Sequence, residues 1–143
     1  MLGNHDQAII NPKNIRLFNA TARPSLIYAC ECIGQQERAY LEELPFVIEG
    51  CEVEGIQGMN DVVFAHASPI NSAEWEPLFL QSSIANAMDK ISRKIAFVGH
   101  THYAGIHCKM NARTLALTSS IVAIGPHQYL VNSGSIGQPR DGN

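Results

Sequence analysis

Apolar residues recur at helical spacing in three stretches of the chain. The first predicted helix begins at Pro24, which suits a first helical turn, and ends at Gly34. A second is predicted over 36–44, where Pro45 ends it, and a third over 84–91. The apolar positions of the first helix are Leu26, Ile27, Cys30 and Ile33. The first two helices are predicted to be scaffold elements.

Short apolar runs bounded by glycines and polar turns predict strands. The run 95–98 is apolar throughout, as in a strand that is covered on both faces. Residues 68–81 contain the only tryptophan, Trp75, and predict a long loop, which in a compact domain is usually functional. The other predicted strands are 46–48, 52–56, 61–65, 106–110, 115–119, 121–124 and 129–132. The whole pattern predicts a single α/β domain over 1–143.

Composition narrows the class of protein. The net charge is -3 and the basic residues are scattered, so there is no footprint for nonspecific nucleic-acid binding, and nucleic acid is left only as a possible substrate. No apolar run approaches the ~20 residues of a membrane span, and no secretion signal is present, so the predicted compartment is the cytoplasm. The 4 cysteines lack paired CxxC spacing and are predicted to be reduced and mostly buried.

Four of the 6 histidines share one local pattern, in which an apolar strand and a small residue or turn precede the imidazole. They are His5, His66, His100 and His102. Because the carboxyl ends of strands border the ligand crevice of open α/β sheets, these side chains are expected to converge there. With Asn4, the last three offer one amide oxygen and three imidazoles. That donor set suits a divalent transition metal.

Each histidine also has a simpler interpretation. A histidine after a strand is more often a hydrogen-bonded turn residue than a ligand, and His66 taken alone is interpreted in this way. The pair His100 and His102 is a stronger signal, because alternate residues of an extended backbone point to the same side. His107 and His127 have no partner at such spacing and are predicted to be structural.

The order and approximate spacing of these motifs resemble the calcineurin-like metallophosphoesterase family. The resemblance rests on Gly-Asn-His-Asp at 3–6, the histidine at 66 and Gly-His-Thr-His at 99–102. Residues 40–45 and the tail 132–142 resemble its small prokaryotic phosphodiesterase and phosphatase branch, as does His-Ala-Ser-Pro from His66. The resemblance covers nearly the whole chain. It implies a four-layer α/β/β/α sandwich in which two metals activate water to attack phosphate mono- or diesters.

The resemblance also implies a set of metal ligands. Asn4, His66 and His100 would bind the second metal of a dinuclear centre, and His102 would bind the first. The expected metal is manganese, with iron, zinc or nickel as alternatives.

Three further residues receive roles or places from the same resemblance. His5 would stand beside the leaving group of a phosphate-ester substrate as the general acid. Asp6 and Arg140 would lie near the site without an assigned role.

Two earlier family motifs, Asp-x-His and Gly-Asp-x-x-Asp, are missing from this sequence. They would occupy two N-terminal strand-helix units, on the order of 60 residues. We therefore expect a partial sandwich that is cut at both ends and binds one metal weakly or none. Its uncovered sheet predicts a homo-oligomer or pairing with a missing N-terminal segment.

Two other functions stay open at this stage. The chain could be a non-catalytic remnant that binds a metal or a partner, or one half of a split phosphoesterase. It could also be a structural β-rich binding module in which the histidines are incidental.

Overall fold

The computed structural model describes residues 1–50, 59–111, 113–117, 124–140 and 142. The chain divides into two compact units, Met1–Phe46 and Val47–Asn143. The first unit is helical and the second contains the β-sheet. Together they confirm the predicted α/β class, while the single domain over 1–143 stays a prediction. Within the described ranges, every helix is too short or too polar to cross a bilayer.

The first unit begins with helix α1 (Asn4–Ile10), which the apolar pattern did not predict. Gly3 precedes it in extended conformation, and the carboxylate of Asp6 accepts a hydrogen bond of 2.8 Å from the Gly3 N–H. This side chain satisfies one of the backbone donors that a helix start leaves without an intrahelical partner. A 3₁₀ helix (Pro12–Leu17) follows α1.

Helices α2 (Arg23–Cys32) and α3 (Gln35–Glu43) complete the first unit. Pro24 lies in the first turn of α2, as predicted. The predicted stop at Gly34 was wrong by two residues, because Ile33 already has extended backbone and Gly34 serves as the N-cap of α3.

Over its described residues, the second unit is built on a six-stranded sheet with the order β1-β2-β3-β6-β4-β5. The central strands β2, β3 and β6 are parallel, and the other pairings are antiparallel. The strands are β1 (Val47–Glu49), β2 (Val62–Ala65), β3 (Ile95–Val98), β4 (Ala104–Met110), β5 (Arg113–Leu117) and β6 (Gln128–Ser133). Six of the predicted runs are thereby confirmed to within a few residues. The predicted strand 52–56 and residues 121–123 lie outside the described residues.

Helix α4 (Gln81–Lys90) covers one face of this sheet. Its buried residues Ile84, Ala87 and Met88 form the core of the unit with Val98 and Leu130 of the central strands. The predicted helix 84–91 is therefore confirmed, with a start three residues earlier. Because side chains alternate along a strand, the neighbours of these core residues face the other side of the sheet, where Phe64 and Phe97 stack with centroids 5.3 Å apart.

Three cysteines fall within the described residues, and all three are free thiols as predicted. The expectation that they are mostly buried was wrong. Only Cys108 is buried, while Cys30 is half-buried and Cys32 is exposed, because both lie on helix α2 with only part of its surface packed.

Candidate metal centre

His66 and His100 follow two adjacent parallel strands, β2 and β3. The register pairs Phe64 with Phe97, and beyond the ladder the Gly99 N–H donates a 3.0 Å hydrogen bond to the His66 carbonyl. Parallel register thus brings two residues that are distant in sequence to the same edge of the sheet. Their rings have centroids 5.1 Å apart and an interplanar angle of 66°. The predicted convergence of strand ends is confirmed for this pair.

The nearest ring nitrogens of the pair, Nε2 of His66 and Nδ1 of His100, are 3.3 Å apart. Two imidazole nitrogens that each lie ~2.1 Å from one cation in tetrahedral geometry are ~3.4 Å apart. The observed separation therefore fits shared coordination of a single cation. Without a cation, the same two nitrogens can share one hydrogen bond.

An unusual backbone conformation orients the His100 ring. The Thr101 N–H donates to the Gly99 carbonyl at 2.7 Å, and His100 between them has a φ of 65°. This is a three-residue γ-turn of the rare form with positive φ. Such strain costs ~1–3 kcal/mol and is found where the surrounding structure imposes it, often at functional sites.

The prediction that His100 and His102 point to the same side of an extended backbone was wrong. Their backbone is not extended, since both residues have a φ of 65°. Histidine tolerates the left-handed region better than most residues, and the bend at each position takes the chain out of the sheet after β3.

A backbone carbonyl fixes the tautomer of the His102 ring. Nδ1 lies 2.8 Å from the Gln138 carbonyl oxygen, which can only accept a hydrogen bond. Nδ1 therefore carries the proton in the neutral ring, and the lone pair is on Nε2. Arg140 lies beside the same residue, where its backbone N–H donates to the His102 carbonyl at 3.1 Å while its side chain is exposed.

The buried side-chain amide of Asn132 hydrogen-bonds residues 99–102, which we call the histidine loop. Asn132 donates from Nδ2 to the Thr101 Oγ1 at 2.8 Å and to the Gly99 carbonyl at 3.0 Å, and its Oδ1 accepts from the Gly134 N–H at 3.0 Å. Thr101 is 2% exposed and Asn132 is 7% exposed. Asn132 was not predicted as a site residue, although a polar side chain at the end of the apolar run 129–132 repeats the pattern of His66.

The long loop after His66 contacts the candidate site with the side chain of Trp75. The Trp75 ring meets the His66 ring edge-on, with centroids 5.8 Å apart. Trp75 has a φ of 55° and follows a short 3₁₀ turn, Ser72–Glu74. The predicted functional loop therefore contacts one of the candidate ligands.

Asn4 and His5 belong to the first unit and lie in the first turn of α1. Residues 1–3 form no strand in the structure, and Gly3 and Asp6 start a helix directly after them. Asn4 is half-buried, and the exposed His5 packs its ring edge-on against Phe18 at 4.9 Å. That Asn4 converges with the histidines of the second unit stays a prediction.

Among the residues that the structure describes, no three His, Cys, Asp or Glu side chains lie close enough together to hold a metal ion. Of the predicted ligands, His66 and His100 are the two whose rings the described structure places against each other, and their role as metal ligands stays a prediction. His107 lies in β4 opposite Leu130, lines a cavity of 330 Å³, and has its pKa lowered from 6.5 by burial. His127 precedes β6 and is half-buried.

Comparisons with known proteins find similarity to an uncharacterized relative and to a solved metallophosphoesterase structure. The chain is 31% identical over 144 residues to an uncharacterized protein of Methanocaldococcus jannaschii, with 99% of this chain and 55% of the relative aligned. The crystal structure of a metallophosphoesterase from Sphaerobacter thermophilus matches with a TM-score of 0.74 and 27% identity, over 99% of this chain and 56% of that one. No protein-family model matches. The chain spans about half the length of both proteins.

Proposed function

Since this chain has a metallophosphoesterase-like fold over nearly its whole length, we propose that it takes part in metal-dependent hydrolysis of phosphate mono- or diesters. The observation that carries the proposal is the 3.3 Å separation of His66 Nε2 and His100 Nδ1, which fits two ligands of one cation. In the proposed dinuclear centre Asn4 would add an amide oxygen to that cation. His102 would bind the neighbouring cation through Nε2.

Bound divalent cations would supply positive charge for the phosphoryl oxygens and would activate water for attack. The protein's own residues would do the rest. His66 and His100 hold their two nitrogens in place through the strand register and the γ-turn, before any ligand arrives. His5 would donate a proton from its ring to the leaving oxygen. Trp75, against His66, would border the substrate and exclude water from one side.

Metallophosphoesterases use divalent metals in general, and three imidazoles with one amide oxygen suit transition metals. We propose manganese as the working metal, with iron, zinc or nickel as alternatives. Two cations would serve the complete centre. One or none is expected in the 143-residue chain, since the described residues bring no carboxylate to the histidine pair.

The direct test is hydrolysis of p-nitrophenyl phosphate and its bis ester with added Mn²⁺. It is run on the present chain and on the reading frame extended upstream of Met1. For the extended chain we expect turnover that chelation and His100→Ala abolish, whereas His127→Ala, in a turn away from the pair, retains it. Metal-dependent turnover that survives His100→Ala would refute the proposed site.

A second experiment separates the proposed roles of the histidines. His5→Ala should lower turnover more than metal content, because His5 is assigned a proton and not a metal. If His5→Ala lost metal and kept its turnover per metal, the assignment would be wrong.

A non-catalytic function is the second candidate, and the lack of a carboxylate beside the pair among the described residues favours it. In that case the chain would bind a cation or a partner chain without turnover, as a remnant or as one half of a split phosphoesterase. Stoichiometric metal binding with no hydrolysis by either form of the chain would support this function.

A further inference from the structure

We infer that Asn132 and the segment 133–140 form a positioning element for the histidine loop, 99–102. The element sets the tautomer of His102 and the backbone of His100 before a cation binds, although it contributes no ligand itself. The inference rests on the proposed function in one respect only, namely that Nε2 of His102 is the nitrogen meant for a metal.

The tautomer is set by the Gln138 carbonyl. A solvated neutral imidazole favours the proton on Nε2, which would block that nitrogen as a ligand. The 2.8 Å contact from His102 Nδ1 to a group that only accepts requires the opposite tautomer. Metal-binding histidines commonly donate their second nitrogen to a backbone carbonyl in this way, which fixes the ring and raises its basicity.

The segment that supplies this carbonyl is itself held in place. The Gln138 N–H donates to Ser135 Oγ at 3.1 Å, which closes a turn directly before the carbonyl. Two residues later, the Arg140 N–H donates to the His102 carbonyl at 3.1 Å. The segment therefore contacts His102 at both its ring and its main chain.

Asn132 joins this segment to the histidine loop. Its two amide hydrogens go to Gly99 and Thr101 in the loop, and its oxygen accepts from Gly134, where the segment leaves β6. Gly134 has a φ of 72°, and a Cβ there would lie 3.2 Å from the Ala104 Cβ. Only glycine adopts this conformation without backbone strain and without crowding Ala104. Gly134 therefore sets the direction in which the segment 133–140 leaves β6 toward His102.

The test reads the His102 tautomer by long-range ¹⁵N NMR on the metal-free full chain. The sample is kept near pH 8, above the ordinary histidine pKa of ~6.5. Wild type should show the proton on Nδ1. Gln138→Ala is the matched control, because it removes a side chain and keeps the carbonyl, and it should show the same tautomer.

Two variants disturb the element at different points. Asn132→Ala removes the shared amide, and Ser135→Ala only loosens the turn that presents the carbonyl. Both should move the His102 proton toward Nε2. Asn132 holds the loop that carries His100 and the segment that presents the Gln138 carbonyl to His102. Co²⁺ affinity should therefore fall in Asn132→Ala by about 10–100-fold, the loss that follows when the outer partner of a metal-binding histidine is displaced. Ser135→Ala lies in a surface turn and keeps the test valid if Asn132→Ala fails to fold.

Wild-type His102 protonated on Nε2 would overturn the inference. So would retention of both the Nδ1 proton and the wild-type Co²⁺ affinity in the folded variants. These readouts are independent of catalysis. A chain with the expected tautomer that hydrolyses no phosphate ester refutes the proposed function and leaves the positioning element supported.

Discussion

The two histidine motifs of this chain look alike in sequence and differ in how the fold holds them. In the first unit, Asn4 and His5 are placed by a local helix start. In the second unit, His66 and His100 are placed by the parallel register of β2 and β3, which joins residues far apart in sequence. The strand ends therefore assemble a pair of donors by themselves. The start of α1 is a single local element, and it does not by itself bring Asn4 or His5 to a donor from a distant part of the sequence.

The contrast shows what a polar residue after an apolar run does and does not predict. When the run is a central strand, the fold fixes both the position and the neighbours of the polar side chain. Where the polar residues lie in the first turn of a helix, as Asn4 and His5 do, the pattern does not specify their neighbours. Helix signals such as Asp6, which accepts from Gly3, then decide the local structure.

The largest effect, on Co²⁺ affinity, is expected from disrupting the His66–His100 pair itself. His100→Ala should lower Co²⁺ affinity by more than ~100-fold, beyond the usual loss from removing an outer partner of a ligand. Isothermal titration measures it, with His127→Ala as the control that should stay within about twofold of wild type. Equal affinities for the two variants would show that the strand ends hold no metal.

Removing the hydrogen bonds of Thr101 next to the pair should give the next largest effect. Thr101→Val removes the Oγ1 that accepts from Asn132 and from the Tyr103 N–H, and leaves one buried amide hydrogen of Asn132 unpaired. We expect a loss of about 1–3 kcal/mol in the free energy of unfolding, measured by urea denaturation. Thr101→Ser keeps the oxygen and should lose less. A Val variant as stable as wild type would mean that the hydrogen bonds add little.

Asp6 tests whether a local helix start places Asn4 and His5 in the first unit. Asp6→Ala should destabilise the start of α1 by about 1 kcal/mol, seen as faster hydrogen exchange of the α1 amides, because the Gly3 N–H loses its acceptor. Asp6→Asn keeps an acceptor and serves as the control. If Asp6→Ala lowered Co²⁺ affinity with unchanged exchange, Asp6 would act on the metal site and not on the helix.

The smallest expected effect is the pH dependence of stability that His107 contributes. Burial lowers the pKa of His107 from 6.5, so between the folded and unfolded pKa values the unfolded chain binds more protons. The contribution to stability is complete above the unfolded value and is lost as the pH falls through the lowered folded value. The stability difference between wild type and His107→Gln, measured by urea denaturation, should therefore decrease on acidification. A difference that is constant with pH would contradict the assigned cause.

Much of the second unit could be predicted from its apolar pattern, because β2, β3, β6 and α4 are built from uninterrupted or amphipathic runs. The meeting of His66 with His100 followed from the rule on strand ends. The support of His102 could not be predicted, since Gln138 lies 36 positions away and contributes a backbone carbonyl, which no side-chain motif encodes. The positive φ of His100 was equally hidden, because it follows from the hydrogen bond between Thr101 and Gly99.

The central claim is that His66 and His100 hold one cation together. Co²⁺ affinity measured for wild type, His66→Ala, His100→Ala and the double variant tests it directly. If the site is shared, either single substitution already destroys it, and the double variant loses no more affinity than either single one. Losses that add in free energy would show two independent histidines and would contradict the account.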